Sequence, residues 1–225
     1  MILSILEVIT IIKAFLFDLD GTIWDSEDVM INVLQEVILK EKGEFVKKSV
    51  LAKDLRMNYS PLKVLKNYGV QNYNTYWKIY RNNFEDITLF YDNTHKIFES
   101  LLELNKLIGY ITSLKKDFSI KLIKKFKLDP YPSVIITPSE CKITKPSPKP
   151  MILALKKLNV SSEEAIYIGD QDIDIIAAKR ANCISGLALW GGRHERLRVV
   201  PDFEFKSLED ILKLAHGGHN DEISL

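Results

Sequence analysis

Acidic residues recur in two short groups of this 225-residue chain. The first is FLFDLDGT, with Asp18 and Asp20 followed directly by Gly21 and Thr22. The second is IYIGDQDID, with Asp170, Asp172 and Asp174 behind Gly169. Between them stand Thr112 and Ser113 at the end of IGYITS, Thr137 after another apolar run, and Lys145 in KITKPSPKP. Carboxylates crowded together repel one another and carry raised pKa values unless a cation neutralises them. Oxygen ligands without His or Cys suit Mg²⁺ better than zinc or copper. With such a cation, a carboxylate can attack phosphorus and form an aspartyl-phosphate, splitting one hard displacement into two easier ones. A second carboxylate two residues on could protonate the leaving oxygen and later activate water. A lysine and a hydroxyl would hold the equatorial phosphoryl oxygens. Taken singly, an acidic or hydroxyl residue such as Asp172 or Ser147 is explained as well by capping the following helix. Capping accounts neither for the doubled Asp18 and Asp20 nor for a lysine at the same rim.

These residues need elements that bring them together. Short apolar runs without in/out alternation occur at Ile11 to Phe17, Ile108 to Ile111, Val134 to Ile136, Ala165 to Ile168 and Ile184 to Leu189, and suit strands buried on both faces. Helical patterns lie between the later runs: Thr94 to Leu104, Phe118 to Phe126, Pro148 to Leu158 and Asp172 to Ala181. This alternation predicts βαβ units and an α/β fold built on a doubly wound parallel sheet. In such a sheet ligands bind beyond the carboxyl ends of the strands, where the polar residues above are concentrated. From Ile23 to Thr88 the rhythm stops. No convincing strand is visible there, only amphipathic helical segments at Glu27 to Lys40, Lys47 to Leu55, Pro61 to Tyr68 and Asn72 to Phe84. This block reads as a separate α-helical subdomain inserted into the α/β fold after the first strand.

Composition narrows the function class. Lys and Arg number 31 against 30 Asp and Glu, a net charge of +1 that removes the bulk electrostatic case for nucleic-acid binding. Two cysteines imply no disulfide framework, and a reducing, cytoplasmic setting is the simplest expectation. The apolar start is interrupted by Glu7 and Lys13, so no membrane anchor is expected. No GxxxxGK[ST] or GxGxxG motif appears, which sets aside P-loop and dinucleotide chemistry. The lysines at 121, 124, 125 and 127 read as the outer face of a sheet-covering helix, and the aromatic stripe Tyr73, Tyr76, Trp77 and Tyr80 as helical-block core. His95 and His194 have no metal-ligand spacing. LWGGRHERLR follows the fifth run with no assigned role.

The motif set resembles the haloacid dehalogenase (HAD) superfamily, specifically its phosphoglycolate-phosphatase-like branch. Motif one, DxDGT, matches Asp18, Asp20, Gly21 and Thr22, with Asp25 and Ser26 behind it. Motif two matches Thr112. Motif three, KPxP, matches Lys145, Pro146 and Pro148. Motif four, GDxxxD, matches Gly169, Asp170 and Asp174. Each alone is a weak signal, but the four occur in order on the expected strand ends and bracket nearly the whole chain. The resemblance implies a HAD Rossmann-like core domain of residues 1–22 and 89–225 and a helical C1 cap domain of residues 23–88. It implies Asp18 as nucleophile and Asp20 as general acid and base. Thr112, Ser113, Gly21 and Lys145 would bind phosphate, with Lys145 also counted as catalytic. Asp18, Asp20, Asp170 and Asp174 would hold Mg²⁺, Asp20 through its backbone carbonyl.

Asp20 argues against the dehalogenase branch, where attack at carbon needs no general acid. The implied activity is a Mg²⁺-dependent phosphatase for a small phosphorylated metabolite, 2-phosphoglycolate first. The implied protein is a monomer or homodimer with no nucleic-acid or membrane partner. A β-phosphoglucomutase-like phosphotransferase shares all four motifs. A receiver-like phosphoacceptor or idle scaffold is the non-enzymatic alternative. Substrate choice would rest on cap residues such as Arg56, Asn58, Lys53 or Lys63, each equally readable as solvated surface. Residues 1–10 precede the point at which relatives of this branch commonly begin.

Overall fold

The computed structural model describes residues 12–58, 60–191 and 198–217. The apolar start before Ile12, Gly192, His194 and the polar tail from residue 218 therefore lie outside the described residues. The chain divides into two compact units, one of Met1–Ile23 with Leu89–Leu225, the other Trp24–Thr88.

In the first unit the aliphatic runs become strands. In chain order the strands are β1 (Ala14–Phe17), β2 (Trp24–Asp25), β3 (Thr88–Leu89), β4 (Leu107–Ile111), β5 (Val134–Ile136), β6 (Ala165–Gly169), β7 (Ile184–Ala188) and β8 (Phe203–Phe205). Six of them form one sheet in the order β5-β4-β1-β6-β7-β8, and every neighbouring pair is parallel. β1 is central, and Phe17 stands opposite both Tyr110 of β4 and Ile168 of β6. This register brings Asp18, Ile111 and Gly169 to the same carboxyl edge. Crossovers leave β1 toward β4 and β5 and return through β6 toward β8, so the switch point lies between β1 and β6, where a ligand crevice belongs.

Alternate side chains of β1 serve two cores. Ala14 and Leu16 join Ile136, Met151, Ala154, Tyr167 and Ala178 in a cluster supplied in part by the helices Lys149–Leu158 and Asp172–Arg180. On the helix Thr94–Glu103, Phe98 meets Phe17 with ring centroids 5.2 Å apart. Two elements of this unit were not anticipated, β8 and a last helix at Leu208–Ala215.

The second unit is helical: α1 (Glu27–Lys42), α2 (Lys48–Asn58), α3 (Pro61–Asn67) and α4 (Tyr73–Asn82). α1 ends at Gly43, whose φ of +70° is the left-handed conformation that glycine tolerates, and whose N–H donates to the Leu39 carbonyl at 2.9 Å. Tyr76 and Tyr80 are buried and stacked, with Trp77 edge-on to Tyr76 at 5.1 Å, so the aromatic stripe is packing material. The stretch expected to lack strands does carry one: β2 pairs with β3 where the chain leaves and re-enters the sheet-bearing unit. A two-residue strand has no periodicity to read, which is why the pattern passes over it. Helices of the first unit continue the series as α5 (Thr94–Glu103), α6 (Lys116–Lys125), α7 (Lys149–Leu158), α8 (Asp172–Arg180) and α9 (Leu208–Ala215). No helix among the described residues is long and apolar enough to cross a membrane.

Candidate active site

Asp18 directly follows β1, and its backbone N–H donates to the Ile168 carbonyl of β6 at 2.8 Å. Asp170 follows β6, and Asp174 lies in the first turn of α8, where its Oδ2 accepts the Gln171 N–H at 3.1 Å. One carboxylate oxygen from each of Asp18, Asp170 and Asp174 lies within 4.8 Å of the other two, and all three residues are buried. Lys145, itself buried, enters this group from the loop before α7. Its Nζ lies 2.8 Å from Asp18 Oδ1, 2.6 Å from Asp174 Oδ1 and 2.9 Å from the Tyr167 hydroxyl. An ammonium has three protons, and here three protein oxygens meet them.

The electrostatics follow from burial. Desolvation pushes the Asp18 carboxyl above its ordinary range, the charge of Asp174 adds to this, and Lys145 opposes both. Burial also works against the Lys145 charge, but Asp174 and Asp18 outweigh it and hold the ammonium well above its usual pKa. With the three carboxylates ionised, one ammonium leaves two negative charges uncompensated within the group. An all-oxygen set of this kind fits a hard divalent cation.

The backbone shows why DGT follows the first aspartate. Gly21 has φ +92°, and a Cβ there would stand 2.5 Å from Asp170 Oδ2, so no other residue fits the turn. Gly169 is equally confined, because a Cβ would collide with the Asp174 side chain.

The remaining sequence candidates fall as follows. Asp20 is partly exposed in the turn after β1, and its carboxylate is not one of the three grouped above. Thr112 is buried at the end of β4, and its Oγ1 accepts the Leu114 N–H at 3.1 Å; Ser113 beside it is exposed. Asp172 is not the α8 cap, since Gln171 occupies that position; its Oδ1 accepts the Arg198 N–H at 3.0 Å instead. Ser147 does accept the Lys149 N–H, at 3.4 Å. In the helical unit, Arg56 donates through Nε to Glu27 Oε1 at 3.0 Å, while Lys53 and Lys63 are exposed. Nothing is described of the Asn58 side chain.

Tyr167 joins this group and is missed by motif reading. Besides meeting Lys145, its hydroxyl lies 3.2 Å from the Ile111 carbonyl and 3.4 Å from Asp174 Oδ1. It thereby ties Lys145 to the strand end that carries Thr112. The available signal was a tyrosine inside an otherwise apolar buried strand, since a buried phenol needs a polar partner.

Comparison with known proteins extends the match beyond the motifs. A phosphoglycolate phosphatase of Aquifex aeolicus is 30% identical over 211 residues, covering 90% of this chain and 96% of that protein. Pyrophosphatase PpaX of Listeria innocua is 25% identical over 212 residues, with the same two coverages. Among solved structures, a Lactobacillus plantarum protein superposes with a TM-score of 0.79 at 25% identity, covering 90% of this chain and 99% of that one. A HAD phosphatase from Thermococcus onnurineus gives 0.69 at 23% identity, covering 92% and 99%. The haloacid dehalogenase-like hydrolase model matches residues 15–188, a span that begins within β1, ends with β7 and includes Asp18, Lys145 and Asp170. The chain belongs to the haloacid dehalogenase-like hydrolase family.

Proposed function

We propose that the protein is a Mg²⁺-dependent phosphatase that hydrolyses a small organic phosphate monoester, 2-phosphoglycolate being the first candidate. The observation that carries this reading is the Lys145 ammonium held 2.8 Å from Asp18 and 2.6 Å from Asp174, with Asp170 beside them. Asp18, Asp170, Asp174 and the Asp20 backbone carbonyl would hold the cation, which when bound neutralises carboxylate and phosphoryl charge.

The chain's own groups do the rest. Lys145 favours the ionised form of Asp18, the form that acts as nucleophile, and so opposes the effect of burial. That oxygen bonds to phosphorus as the ester P–O bond breaks, and the departing oxygen takes a proton from Asp20. Asp20, now ionised, accepts a proton from water as the water oxygen attacks the aspartyl-phosphate. Phosphate leaves and the Asp18 carboxylate is restored. Thr112, Ser113 and Lys145 hold the phosphoryl oxygens. Residues 23–88 are assigned the role of cap, excluding water and selecting the ester.

Inorganic pyrophosphate is the second substrate, favoured by one observation: relatives named pyrophosphatase PpaX align over 96% of their own length. A panel of 2-phosphoglycolate, sugar phosphates and pyrophosphate, assayed with Mg²⁺ and with chelator, separates these readings. Asp18→Asn is expected to abolish turnover. Substantial turnover in that variant overturns the mechanism, transfer to a bound sugar identifies a mutase, and an inactive wild type favours a scaffold.

A further inference from the structure

The chain leaves β7 through a single 3-10 turn at Leu189–Gly191, on the same sheet edge as Asp18 and Asp170. Trp190 in this turn is half-buried. Its indole N–H donates to the Thr22 carbonyl at 2.8 Å, and its ring meets Tyr91 edge-on with centroids 5.4 Å apart. Tyr91 is itself anchored, its hydroxyl donating to the Lys206 carbonyl at 3.2 Å. The next residue, Gly191, is buried so tightly that a Cβ there would collide with the Gly21 carbonyl and the Asp170 Cβ. Two consecutive residues, neither in any of the four motifs, therefore clasp Gly21 and Thr22. Within the turn, Thr22 N–H donates to Leu19 O at 3.3 Å and Ile23 N–H to Leu19 O at 2.8 Å.

We propose that Trp190 is a positioning residue for Asp20. By holding the carbonyl two residues downstream, it fixes the turn on which Asp20 stands and so the direction of the Asp20 carboxyl. The inference rests on the phosphatase reading, in which Asp20 gives its proton to the departing oxygen. Proton donation is sensitive to distance, and a misplacement of about 1 Å can cost on the order of 100-fold in rate. Trp190 matters in this account only when the leaving group needs that proton.

This selectivity supplies the test. Asp18 attacks phosphorus in either of two small substrates. In 2-phosphoglycolate the broken P–O bond leaves an alkoxide that must take the Asp20 proton, whereas acetyl phosphate releases acetate, which needs none. Trp190→Phe keeps an aromatic ring against Tyr91 and deletes the N–H. Its kcat/KM, which reports the first phosphoryl transfer, is expected to fall about 10-fold with 2-phosphoglycolate, or with another alkyl phosphate that the wild type turns over, and less than about 2-fold with acetyl phosphate. Equal losses on both substrates would mean a general structural defect and overturn the proposal, as would no loss on either. A wild type that hydrolyses neither overturns the phosphatase reading, and this inference with it. If Trp190→Phe melts below the assay temperature, 3-benzothienylalanine at position 190 replaces the N–H by sulfur in a ring of nearly unchanged shape and carries the same comparison.

Discussion

Lys145 has three ammonium protons and three protein acceptors, so one side chain ties Asp18, Asp174 and Tyr167 together. Removing one acceptor while keeping the ring is the sharpest probe. Tyr167→Phe is expected to lower stability by about 1–2 kcal/mol, because it strands a buried donor. A shifted urea midpoint at unchanged slope would check this. Gly21→Ala should cost more. It forces a β-carbon onto Asp170 in a backbone conformation that L-residues avoid, a strain of about 1–3 kcal/mol. We expect it to lower the melting temperature and to cut turnover at least 100-fold, both measurable on purified protein. At this scale the sequence is legible by residue type: Asp18, Asp20, Lys145 and Asp170 stand out because few other roles need acids and a lysine after apolar runs. Tyr167 shows only as a phenol in an apolar run that needs some polar partner, and Trp190 does not stand out. Their partners, the Ile111 and Thr22 carbonyls, lie 56 and 168 residues away, and nothing local in IYIGD or LWGG announces them.

Elements were legible where their periodicity had length to act. The aliphatic runs at β1, β4, β5, β6 and β7 are strands within a few residues of their expected bounds, because double-sided burial in a parallel sheet demands continuous apolar sequence. β8 escaped because FEF alternates: Phe203 and Phe205 are buried while Glu204 between them is not, as an edge strand permits. α9 did carry a readable start, since the Asp210 carboxylate accepts the Ser207 N–H at 3.1 Å, the second half of an S-x-x-D pattern. On α5, Phe98 is fully buried between Phe17, Tyr110 and Tyr131. Phe98→Ala is expected to cost about 3–5 kcal/mol, read by denaturant titration. A pH-dependent link joins α6 to the turn after β5. Glu140 accepts the N–H and hydroxyl of Thr137 at 3.0 and 2.6 Å and pairs with Lys116 at 2.7 Å. Burial alone would raise its carboxyl, but Lys116 and Thr137 prevail and depress it to about 2. A depressed carboxyl stabilises the fold above its unfolded value near 4.5, and this contribution is lost as pH falls toward 2. Glu140→Gln should therefore be less stable than wild type at pH 6, with the gap in urea midpoint closing as the pH is lowered.

At the scale of the whole molecule, a cation bound by the grouped carboxylates would make stability depend on its concentration. A ligand that binds only the folded chain at about 100 times its Kd adds about 2.7 kcal/mol. For a chain of this length that corresponds to a rise of about 5–10 °C in melting temperature. Millimolar Mg²⁺ should produce a shift of this kind over chelator, and Asp170→Asn should abolish it; a shift that persists in the variant would locate the cation elsewhere. The central position of β1 has a further consequence, for synthesis. One flank of β1 is sealed by β4 at residues 107–111, the other only by β6 at residues 165–169. A nascent chain halted between these points carries a bare strand edge, open to pairing with a neighbouring chain. The segment that covers this edge is the same one that delivers Asp170, so the growing polypeptide gathers its buried carboxylates in the step that encloses its central strand.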